Sequence, residues 1–485
     1  MDNYIVMIGL EMHCEISKSN AKVFSLSENT YNKPPNTNIA LRDMAFPGCL
    51  PILNKKCVEL ALKASMILNC KQPEYIYFER KHYFYPDLPG SYQVTQETKP
   101  APVGIYGTFT FDCKGEQKTI RINNIHLEED AAACEHFDTF STVDYNRAGV
   151  PLLELVTYPD LRSADEAVAF LEAMRSIYQY ADISEADSKK GQVRCDVNIS
   201  IMEKDKDIDD EKSWGTRVEI KNVNSFGGVR DAINYEVERH IELKESGKYS
   251  EMQQQTRRWD EDTMTTIFMR DKEHAIDYRY FVDPNIPKFK VADTWLKKIR
   301  ESIPELPSER KEKYITQYGL SEYDATIIVK DKAISDFYEE TIQLKADVKK
   351  AANWLTTVIM GYLNKNEVEI NEMYLTPAML VDIMKMIEDG KISSKQSKDV
   401  FFHVLEHKKE PSKVVDELGI EQTSDDGMIR ELVVKVLDEH LDLIEEHRKG
   451  RNVFDFFVGQ IMKATKGQAN PSLTAQIIRE EIEKR

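Results

Sequence analysis

Residues 6–16, VMIGLEMHCEI, alternate apolar and polar side chains, as a β-strand with one buried face does. The apolar set comprises Val6, Ile8, Leu10, Met12, Cys14 and Ile16, and the other face carries Gly9, Glu11, His13 and Glu15. Glu11 and His13 are therefore neighbours on one face, a spacing that suits two ligands of one divalent ion. A strand with one solvated face would show the same alternation, so this pattern alone does not establish a site.

The composition is that of a globular protein, because 41% of the 485 residues are hydrophobic and 31% are charged. At roughly 150 residues per domain, the length predicts about three domains. The formal net charge of −18 argues against broad, sequence-independent nucleic-acid binding, which needs a cationic surface. No apolar run approaches the roughly 18 residues of a membrane span, and charged residues interrupt the amino terminus before a signal-peptide core could form. We therefore expect no membrane partner and a cytoplasmic location.

All seven cysteines lie before residue 200, at positions 14, 49, 57, 70, 113, 134 and 195. They form no CxxC pair and their number is odd, so neither a disulfide framework nor a structural zinc site is indicated. We expect these thiols to be buried or idle.

The pattern along the chain changes near residue 293. Before it, short alternating segments between Pro and Gly turns predict strands with a few helices, and after it apolar residues recur at helical spacing. Ser308 is expected to cap one of the first helices of the second part. Polar breaks at 408–412 and 421–426 indicate a last small helical unit. The sequence therefore predicts an α+β chain with three domains, at 1–293, 294–408 and 409–485.

Two further carboxylates stand where apolar residues are expected. Glu129 follows Ile125 and Leu127 in phase along one predicted strand, and Glu154 interrupts the apolar run of GVPLLELV. A buried carboxylate costs several kcal/mol unless it is paired or bound to a metal. A salt bridge from Glu154 to Arg147 would satisfy that need, and so would a metal ion. Carboxylates with a single imidazole favour Mg²⁺ or Mn²⁺ over zinc.

Basic residues are spread over the same predicted strands: Arg80, Lys81, Arg194, Arg217, Lys221, Arg257, Arg258 and Arg279. Segments 191–201 and 216–226 alternate cleanly and predict a hairpin across the charged loop 203–213. Cross-strand charge pairing alone would explain their polar faces. Metal carboxylates mixed with Arg and Lys are also what phosphoryl transfer requires. Since the P-loop, GxGxxG, protein-kinase and GxSxG motifs are missing, the residues indicate a metal-dependent phosphate enzyme outside the common motif classes.

Long blocks of the sequence resemble the GatB family, the B subunits of aspartyl/glutamyl-tRNA amidotransferases. They run in one order from the first strand to the last helix: IGLEMHCEI (8–16), AFPGCLPILNK (45–55), FERKHYFYPDLPGSYQ (78–93), HLEEDA (126–131), DYNRAGVPLLELVTYPDLRS (144–163), VRCDVNIS (193–200), VEIKNVNSF (218–226), QTRRWDED (255–262), DYRYFVDP (277–284), PELPSERKEKY (304–314) and VGQIMKATKGQANP (458–471). The resemblance implies a cradle-shaped catalytic domain on a largely antiparallel sheet, then an all-α helical domain and a small C-terminal helical tail domain that contacts tRNA.

The resemblance also implies an activity. ATP would phosphorylate the side-chain carboxylate of glutamate mischarged on tRNA(Gln), or of aspartate on tRNA(Asn), and ammonia would displace phosphate. This makes the chain a carbon–nitrogen ligase with glutamine as amido donor. The magnesium ligands of the family match Glu11, His13, Glu129 and Glu154, and Lys81 matches a lysine near the ammonia passage. From charge alone we add Arg147, Arg194 and Arg257 as groups that support ATP or the acyl phosphate.

The resemblance implies partners as well, the A and C subunits of a heterotrimer: an amidase that makes ammonia, and a small protein that binds both. The chain departs from the family pattern at 188–191 (SKKG) and 131–133 (AAA), near the expected site. A catalytically altered second copy that acts mainly as a tRNA-binding scaffold is therefore the alternative. A stand-alone metal-dependent phosphatase is a third, weaker interpretation. A cationic stretch at 463–471 is expected to meet a tRNA backbone.

Overall fold

The computed structural model describes residues 3–223, 225–271, 277–420, 426–448, 454–465 and 469–485. The chain divides into two compact units, Met1–Pro307 and Ser308–Arg485. The first unit is rich in strands and the second is helical, which confirms the predicted α+β class. No described helix is both long and apolar enough to cross a bilayer.

The described part of the first unit contains these strands: β1 (Tyr4–Glu15), β2 (Tyr75–Ile76), β3 (Glu79–His82), β4 (Tyr92–Thr95), β5 (Gly104–Cys113), β6 (Glu116–Glu129), β7 (Ala133–His136), β8 (Ser141–Asp144), β9 (Pro151–Thr157), β10 (Val193–Glu203), β11 (Val218–Val223), β12 (Gln255–Asp260), β13 (Thr265–Asp271), β14 (Phe281–Val282) and β15 (Phe289–Lys290). Its α-helices are α1 (Lys55–Ile67), α2 (Ala164–Tyr180), α3 (Phe226–Glu245) and α4 (Asp293–Glu301).

Eight of these strands form one sheet in the order β13-β12-β11-β10-β1-β9-β6-β5. Only β11 and β12 run parallel, so the sheet is largely antiparallel, as predicted. The predicted hairpin is confirmed by the antiparallel pairing of β10 with β11, with a register shift between Cys195 and Val197. The smaller sheet β14-β3-β4 brings β4 beside β6, where Gln93 donates to the Glu129 carbonyl (2.8 Å).

One face of the eight-stranded sheet, which we call the helix-covered face, packs on α1, α2 and α3. The inward side chains of β1 are at most 1% exposed at Ile8, Leu10, Met12 and Cys14, and they join helix residues in one hydrophobic cluster. Each helix is preceded by an N-cap residue whose side chain accepts a hydrogen bond from a backbone N–H of the first turn. The caps are Asn54 for α1, Ser163 for α2 and Ser225 for α3. Burying each Ile or Leu contributes roughly 1.5–3 kcal/mol, which fixes the register of the sheet. The opposite face, which we call the polar face, therefore carries the in-phase polar residues of β1.

The second unit is built from helices: α5 (Pro307–Thr316), α6 (Glu322–Val329), α7 (Lys332–Gln343), α8 (Val348–Asn353), α9 (Met360–Asn366), α10 (Pro377–Glu388), α11 (Ser394–His407), α12 (Pro411–Leu418), α13 (Asp426–Glu439), α14 (Leu441–Arg448), α15 (Phe454–Ala464) and α16 (Pro471–Glu483). A π-helical turn, Trp354–Ile359, joins α8 to α9. Its buried apolar residues form two clusters, one within 314–415 and one within 429–478.

The structure corrects one predicted helix boundary and leaves the predicted domain limits untested. Helix α5 begins at Pro307, so Ser308 lies inside the helix and the predicted cap is wrong; proline is favoured at the first helical position. In the first unit, Trp295 and Ile299 of α4 belong to the hydrophobic cluster of the sheet. The domain limits near 293 and 408 stay predictions. Part of the cationic stretch at 463–471, residues 466–468, lies outside the described residues.

Candidate active site

Strand register brings two imidazoles and two carboxylates together on the polar face. His13 of β1 lies opposite Glu154 of β9, which in turn lies opposite His126 of β6. His13 Nε2 is 3.3 Å from a Glu154 oxygen, and His126 Nε2 is 3.2 Å from the same oxygen. Glu128 is in phase with His126, and its carboxylate is 3.7 Å from His13 Nε2. We call these four residues the His13–Glu154 cluster.

Burial and charge oppose each other within this cluster. Glu154 is only 8% exposed, and burial alone would raise its pKa, yet the imidazoles of His13 and His126 hold that pKa well below its usual range. Burial would lower the pKa of His13, but Glu154 and Glu128 raise it to about 9. The pKa of His126 is likewise raised well above its usual value, against burial, first by Glu154. Glu154 is therefore an ionised carboxylate between two imidazoles.

Arg147 is not the partner of Glu154 in this arrangement. Its guanidinium donates to the carbonyl oxygens of Ala131 (2.9 Å) and Ala132 (2.8 Å), and its Nε lies 3.4 Å from Asp130. The salt bridge that could have satisfied Glu154 is thus made elsewhere, and Glu154 depends on imidazoles for its positive partners.

The donor set of the polar face fits a divalent cation. One ligand atom from each of His13, Glu128 and Glu154 lies within 4.8 Å of the others, and the same holds for Glu97, His126 and Glu154. The buried Nε2 of His126 has no well-aligned hydrogen-bond partner among the described residues, while its Nδ1 lies 2.8 Å from the side-chain oxygen of Asn124. Oxygen-rich ligands with imidazole suit Mg²⁺ or Mn²⁺.

Glu11 extends this carboxylate-rich region along β1. Asn198 donates to its Oε1 (2.8 Å), and one oxygen of Glu11 lies within 4.8 Å of ligand atoms from Asp196 and Glu219. Burial, then Glu154 and Glu219, raise the pKa of Glu11. Lys221 offsets part of this charge, with its Nζ 2.6 Å from Asp196 and 3.2 Å from Glu219, so the cross-strand pairing considered for the hairpin is present.

Glu129 is placed differently from the other predicted ligands. Because β6 alternates, its side chain leaves the strand on the side opposite Glu128. Its oxygens accept from Arg42 (2.8 Å) and from the backbone N–H of Val94 (3.0 Å). Glu129, Arg42 and Tyr92 line a cavity of about 340 Å³. The structure thus does not bring Glu129 to His13, and its metal role stays a prediction.

Lys81 of β3 faces the His13–Glu154 cluster. Burial would lower its pKa, but Glu128, Tyr280 and Glu154 raise it above the usual range, so the side chain is an ammonium. Its Nζ lies 5.0 Å from the centre of the Tyr278 ring, a cation–π contact. A positive group is therefore held beside the carboxylates of the cluster.

Arg194 and Arg147 meet at Asp130, at the end of the polar face. Arg194 lies opposite His13 in register and donates to Asp130 (2.7 Å), the residue that Arg147 also approaches. Burial, followed by Asp130, raises the pKa of Glu15 to about 8. Both arginine side chains are more than 40% exposed, so they are accessible to an anionic ligand.

Arg257 lies on the helix-covered face instead. Its Nε is 3.2 Å from Glu236 of α3, and it donates to the side chain and carbonyl of Thr266 (2.7 Å each). The structure does not bring Arg257 to the polar face, and its part in binding ATP stays a prediction.

Both departures from the family pattern lie near Asp130 and Glu15. Residues 131–133 follow β6, and the N–H of Ala132 donates to the Asp87 carbonyl (2.9 Å). In residues 188–191, Lys190 pairs with Glu185 (2.9 Å), a residue whose charge also acts on Glu15. These changes alter the surroundings of Asp130 and leave the His13–Glu154 cluster intact.

Sequence reasoning missed His126 and Glu128 as members of the polar face, and it placed Asp196 and Glu219 on polar strand faces without naming them as ligands. The signal for the first two was present, since His126 and Glu128 alternate in NNIHLEED just as Glu11 and His13 do in β1. The apolar residues in phase with Glu129 favoured that carboxylate, but the register between β6 and β9 shows that His126 and Glu128 share the face of Glu154.

Comparisons with known proteins cover nearly the whole chain. Residues 6–297 match the family model of the GatB/GatE catalytic domain, and residues 336–482 match that of the GatB domain. The chain is 44% identical over 485 residues to the B subunit of the aspartyl/glutamyl-tRNA(Asn/Gln) amidotransferase of Geobacillus thermodenitrificans, covering 100% of both. The proteins of the same name from Shouchella clausii and Enterococcus faecalis are 44% and 42% identical, again over the full length of both chains. The His13–Glu154 cluster lies within the matched catalytic segment.

Proposed function

This chain belongs to the GatB family, and from that premise we propose that it activates the side-chain carboxylate of an amino acid esterified to tRNA and converts it to an amide. The substrate is glutamate on tRNA(Gln), aspartate on tRNA(Asn), or both. The γ-phosphoryl group of ATP moves to a side-chain carboxylate oxygen and ADP leaves. Ammonia then attacks the acyl carbon and phosphate departs, which leaves Gln-tRNA(Gln) or Asn-tRNA(Asn).

The observation that carries this proposal is the convergence of His13, Glu128 and Glu154 beside the ammonium group of Lys81. Hydroxide is a poor leaving group from a carboxylate, whereas phosphate is a good one, so amidation in water needs such activation. A site that transfers phosphate must offset negative charge where two anions approach each other. Carboxylates that collect a cation, next to fixed ammonium and guanidinium groups, provide that function.

His13, Glu128 and Glu154 are the residues that would hold Mg²⁺, with Glu11 and Glu129 as the further ligands expected from the family. When bound, the ion offsets the charge of phosphate oxygens. The buried Nε2 of His126, which lacks a well-aligned hydrogen bond, and the low pKa of Glu154, which keeps that carboxylate ionised, are compatible with a cation at this point.

Lys81 and the two exposed arginines would orient the anionic groups. The raised pKa of Lys81 keeps it protonated, so its Nζ can hold a carboxylate or phosphate oxygen beside Glu128. Arg194 and Arg147 share a single carboxylate, Asp130, which leaves guanidinium N–H groups to donate to phosphate. Arg257 would act only indirectly, through the network around Glu236.

Ammonia has to come from a partner. We propose that the amidase of the heterotrimer produces it from glutamine, that the small third protein joins the two, and that the complex acts in the cytoplasm. Free ammonia is mostly protonated at neutral pH, so a shielded route from the amidase to Lys81 would keep it nucleophilic.

The test is transamidation by the complex assembled with its A and C subunits. Glu154→Gln and His13→Ala should each reduce formation of Gln-tRNA and Asn-tRNA by roughly 10²-fold or more, because charge stabilisation in the transition state is lost. Glutamine hydrolysis should remain measurable. Glu116→Gln, an exposed carboxylate at the other end of β6, is the matched control and should keep full activity.

Glu-tRNA(Gln) and Asp-tRNA(Asn) should be offered side by side, with ATP hydrolysis followed in the same reactions. Unchanged amidation in both variants would overturn the site assignment. Background ATP hydrolysis by the unaltered complex, with every substrate present, would instead favour the scaffold alternative.

A further inference from the structure

Helix α11 ends with two imidazoles one turn apart. His403 and His407 are at positions i and i+4, so they share one face of the helix. Their ring centres are 5.2 Å apart with an angle of 30° between the ring planes. The carboxylate of Glu406 lies 3.8 Å from His407 Nε2. One ligand atom from each of the three residues lies within 4.8 Å of the other two.

We propose that His403, Glu406 and His407 form a surface site for one transition-metal ion of the Zn²⁺, Ni²⁺ or Cu²⁺ class. Two imidazole nitrogens and one carboxylate oxygen are ligands that these ions prefer, whereas Mg²⁺ and Ca²⁺ favour sites in which most ligands are oxygens. Water completes the coordination. This site is in the second unit and shares no residue with the His13–Glu154 cluster, so it is independent of the proposed function.

The side chains of His407 and Glu406 can move toward an ion held at the half-buried His403 without a change in the backbone. The side chains of His407 and Glu406 are 48% and 72% exposed, so their torsions are not fixed by packing. Zinc–nitrogen bonds of about 2.0–2.1 Å require the imidazole nitrogens to approach each other slightly, which rotation about exposed side-chain bonds allows. The i, i+4 spacing already places the two imidazoles on the same side of the helix.

The local charge also favours a cation. His407 is the last residue of α11, and a helix carboxyl terminus stabilises positive charge. Glu417 of α12 lies close enough for the charge of His407 to act on its carboxylate. Lys409 is 2.7 Å from Glu417 and is thus partly neutralised, while Lys408 and Lys413 add positive charge near this end of the helix. The carboxylate of Glu406 is therefore the ligand that offsets the charge of a bound ion.

The test is zinc binding by the full-length chain, measured by competition with a chromophoric chelator in excess Mg²⁺. The unaltered chain should bind one more zinc equivalent than the double variant His403→Ala/His407→Ala. Glu406→Gln should weaken that equivalent by about tenfold. His440→Ala removes an imidazole that packs on Phe456 of the same unit, and it should leave the zinc stoichiometry unchanged.

Hydrogen exchange with and without zinc gives a second readout, which is local and does not depend on the polar face. Zinc should slow exchange of the amides at the end of α11 in the unaltered chain and leave them unchanged in the double variant. An equal zinc stoichiometry in the two proteins, or protection that survives the double substitution, would overturn the proposal.

Discussion

The two faces of the eight-stranded sheet each bury a glutamate against a histidine, but they satisfy it differently. On the helix-covered face, Glu236 lies 3.4 Å from His240, 2.8 Å from Arg239 and 3.2 Å from Arg257. On the polar face, Glu154 lies 3.3 Å from His13 and 3.2 Å from His126. Both carboxylates are less than 10% exposed.

The difference lies in the permanence of the positive partners. Although burial opposes it, His240, Arg239 and Thr266 hold the pKa of Glu236 at about 2, and the guanidinium partner is charged at every accessible pH. Glu154 has imidazoles, which are positive only while protonated, and Glu128 competes for them. The chain thus gives Glu236 a permanently charged partner and gives Glu154 only partners that can titrate. A buried Glu–His contact by itself does not distinguish a structural role from a catalytic one.

The largest effect on stability is expected at Glu236. Glu236→Gln should lower the free energy of unfolding by about 3–5 kcal/mol, because Arg239 and Arg257 would remain buried without their carboxylate. Glu154→Gln should lower it by less, since His13 and His126 can release their protons when the carboxylate is removed. Urea unfolding of the full chain, followed by near-UV circular dichroism, measures both. Equal losses would remove the distinction between the two faces.

Acid should destabilise the helix-covered face. The folded pKa of Glu236, about 2, lies below its usual value of 4.5, so its stabilisation is complete above pH 4.5 and is lost as the pH falls toward 2. The difference corresponds to about 3 kcal/mol. Unfolding midpoints at a series of pH values, compared between the unaltered chain and Glu236→Gln, isolate this contribution. The contribution is absent if both proteins lose stability in parallel below pH 4.5.

Glu129 is a third buried carboxylate, and its partner can be compared with those of Glu236 and Glu154. Its carboxylate has a permanent partner, Arg42, at 2.8 Å, so it resembles Glu236 more than Glu154. Arg42→Gln should therefore cost about 1.5–3 kcal/mol, the range for hydrogen bonds to charged groups. Arg42→Lys keeps the charge and should cost less. Urea unfolding of the two variants measures the change in the free energy of unfolding. An unchanged value for Arg42→Gln would mean that burial of Glu129 does not depend on this pair.

The smallest expected effect is a difference in reactivity among the cysteine thiols of the unaltered chain. Burial raises the pKa of Cys14, Cys57 and Cys70 to about 12, so their thiolate fraction falls by roughly a thousandfold. Cys49 and Cys134 are half-buried and should be alkylated first. Mass spectrometry of iodoacetamide-treated chain should find these two labelled before the others. Early labelling of Cys14 would show that the helix-covered face opens readily.

Local patterns predicted much of the first unit. The alternation in β1 gave the correct two faces, and the β10–β11 hairpin and the change to helices after residue 293 followed from turns and periodicity. The neighbours of β1 could not be predicted, because the residues of β9 and β10 that pair with it lie roughly 140–200 positions further along the chain. Pairing over such distances is decided by tertiary packing.

The same limit explains the site residues. His13 was identified because it shares a polar strand face with Glu11, and Glu154 because it interrupts an apolar run; both are local signals. The choice between Glu128 and Glu129 depends on the register of β6 against β9, which no local pattern contains. Arg257 was expected among the phosphate-binding groups, but the parallel pairing of β12 with β11 directs it toward α3.

Because β1 lies in the middle of the sheet, the order of its partners in the chain determines when the sheet can form during translation. This strand is made first, yet its partner β10 ends at Glu203, so the middle of the sheet cannot close until that residue has been added. At about 5–20 residues per second, translation from Tyr4 to Glu203 takes roughly 10–40 s. During this interval the edge of β1 that pairs with β10 has no partner strand, and an open strand edge can pair with other chains.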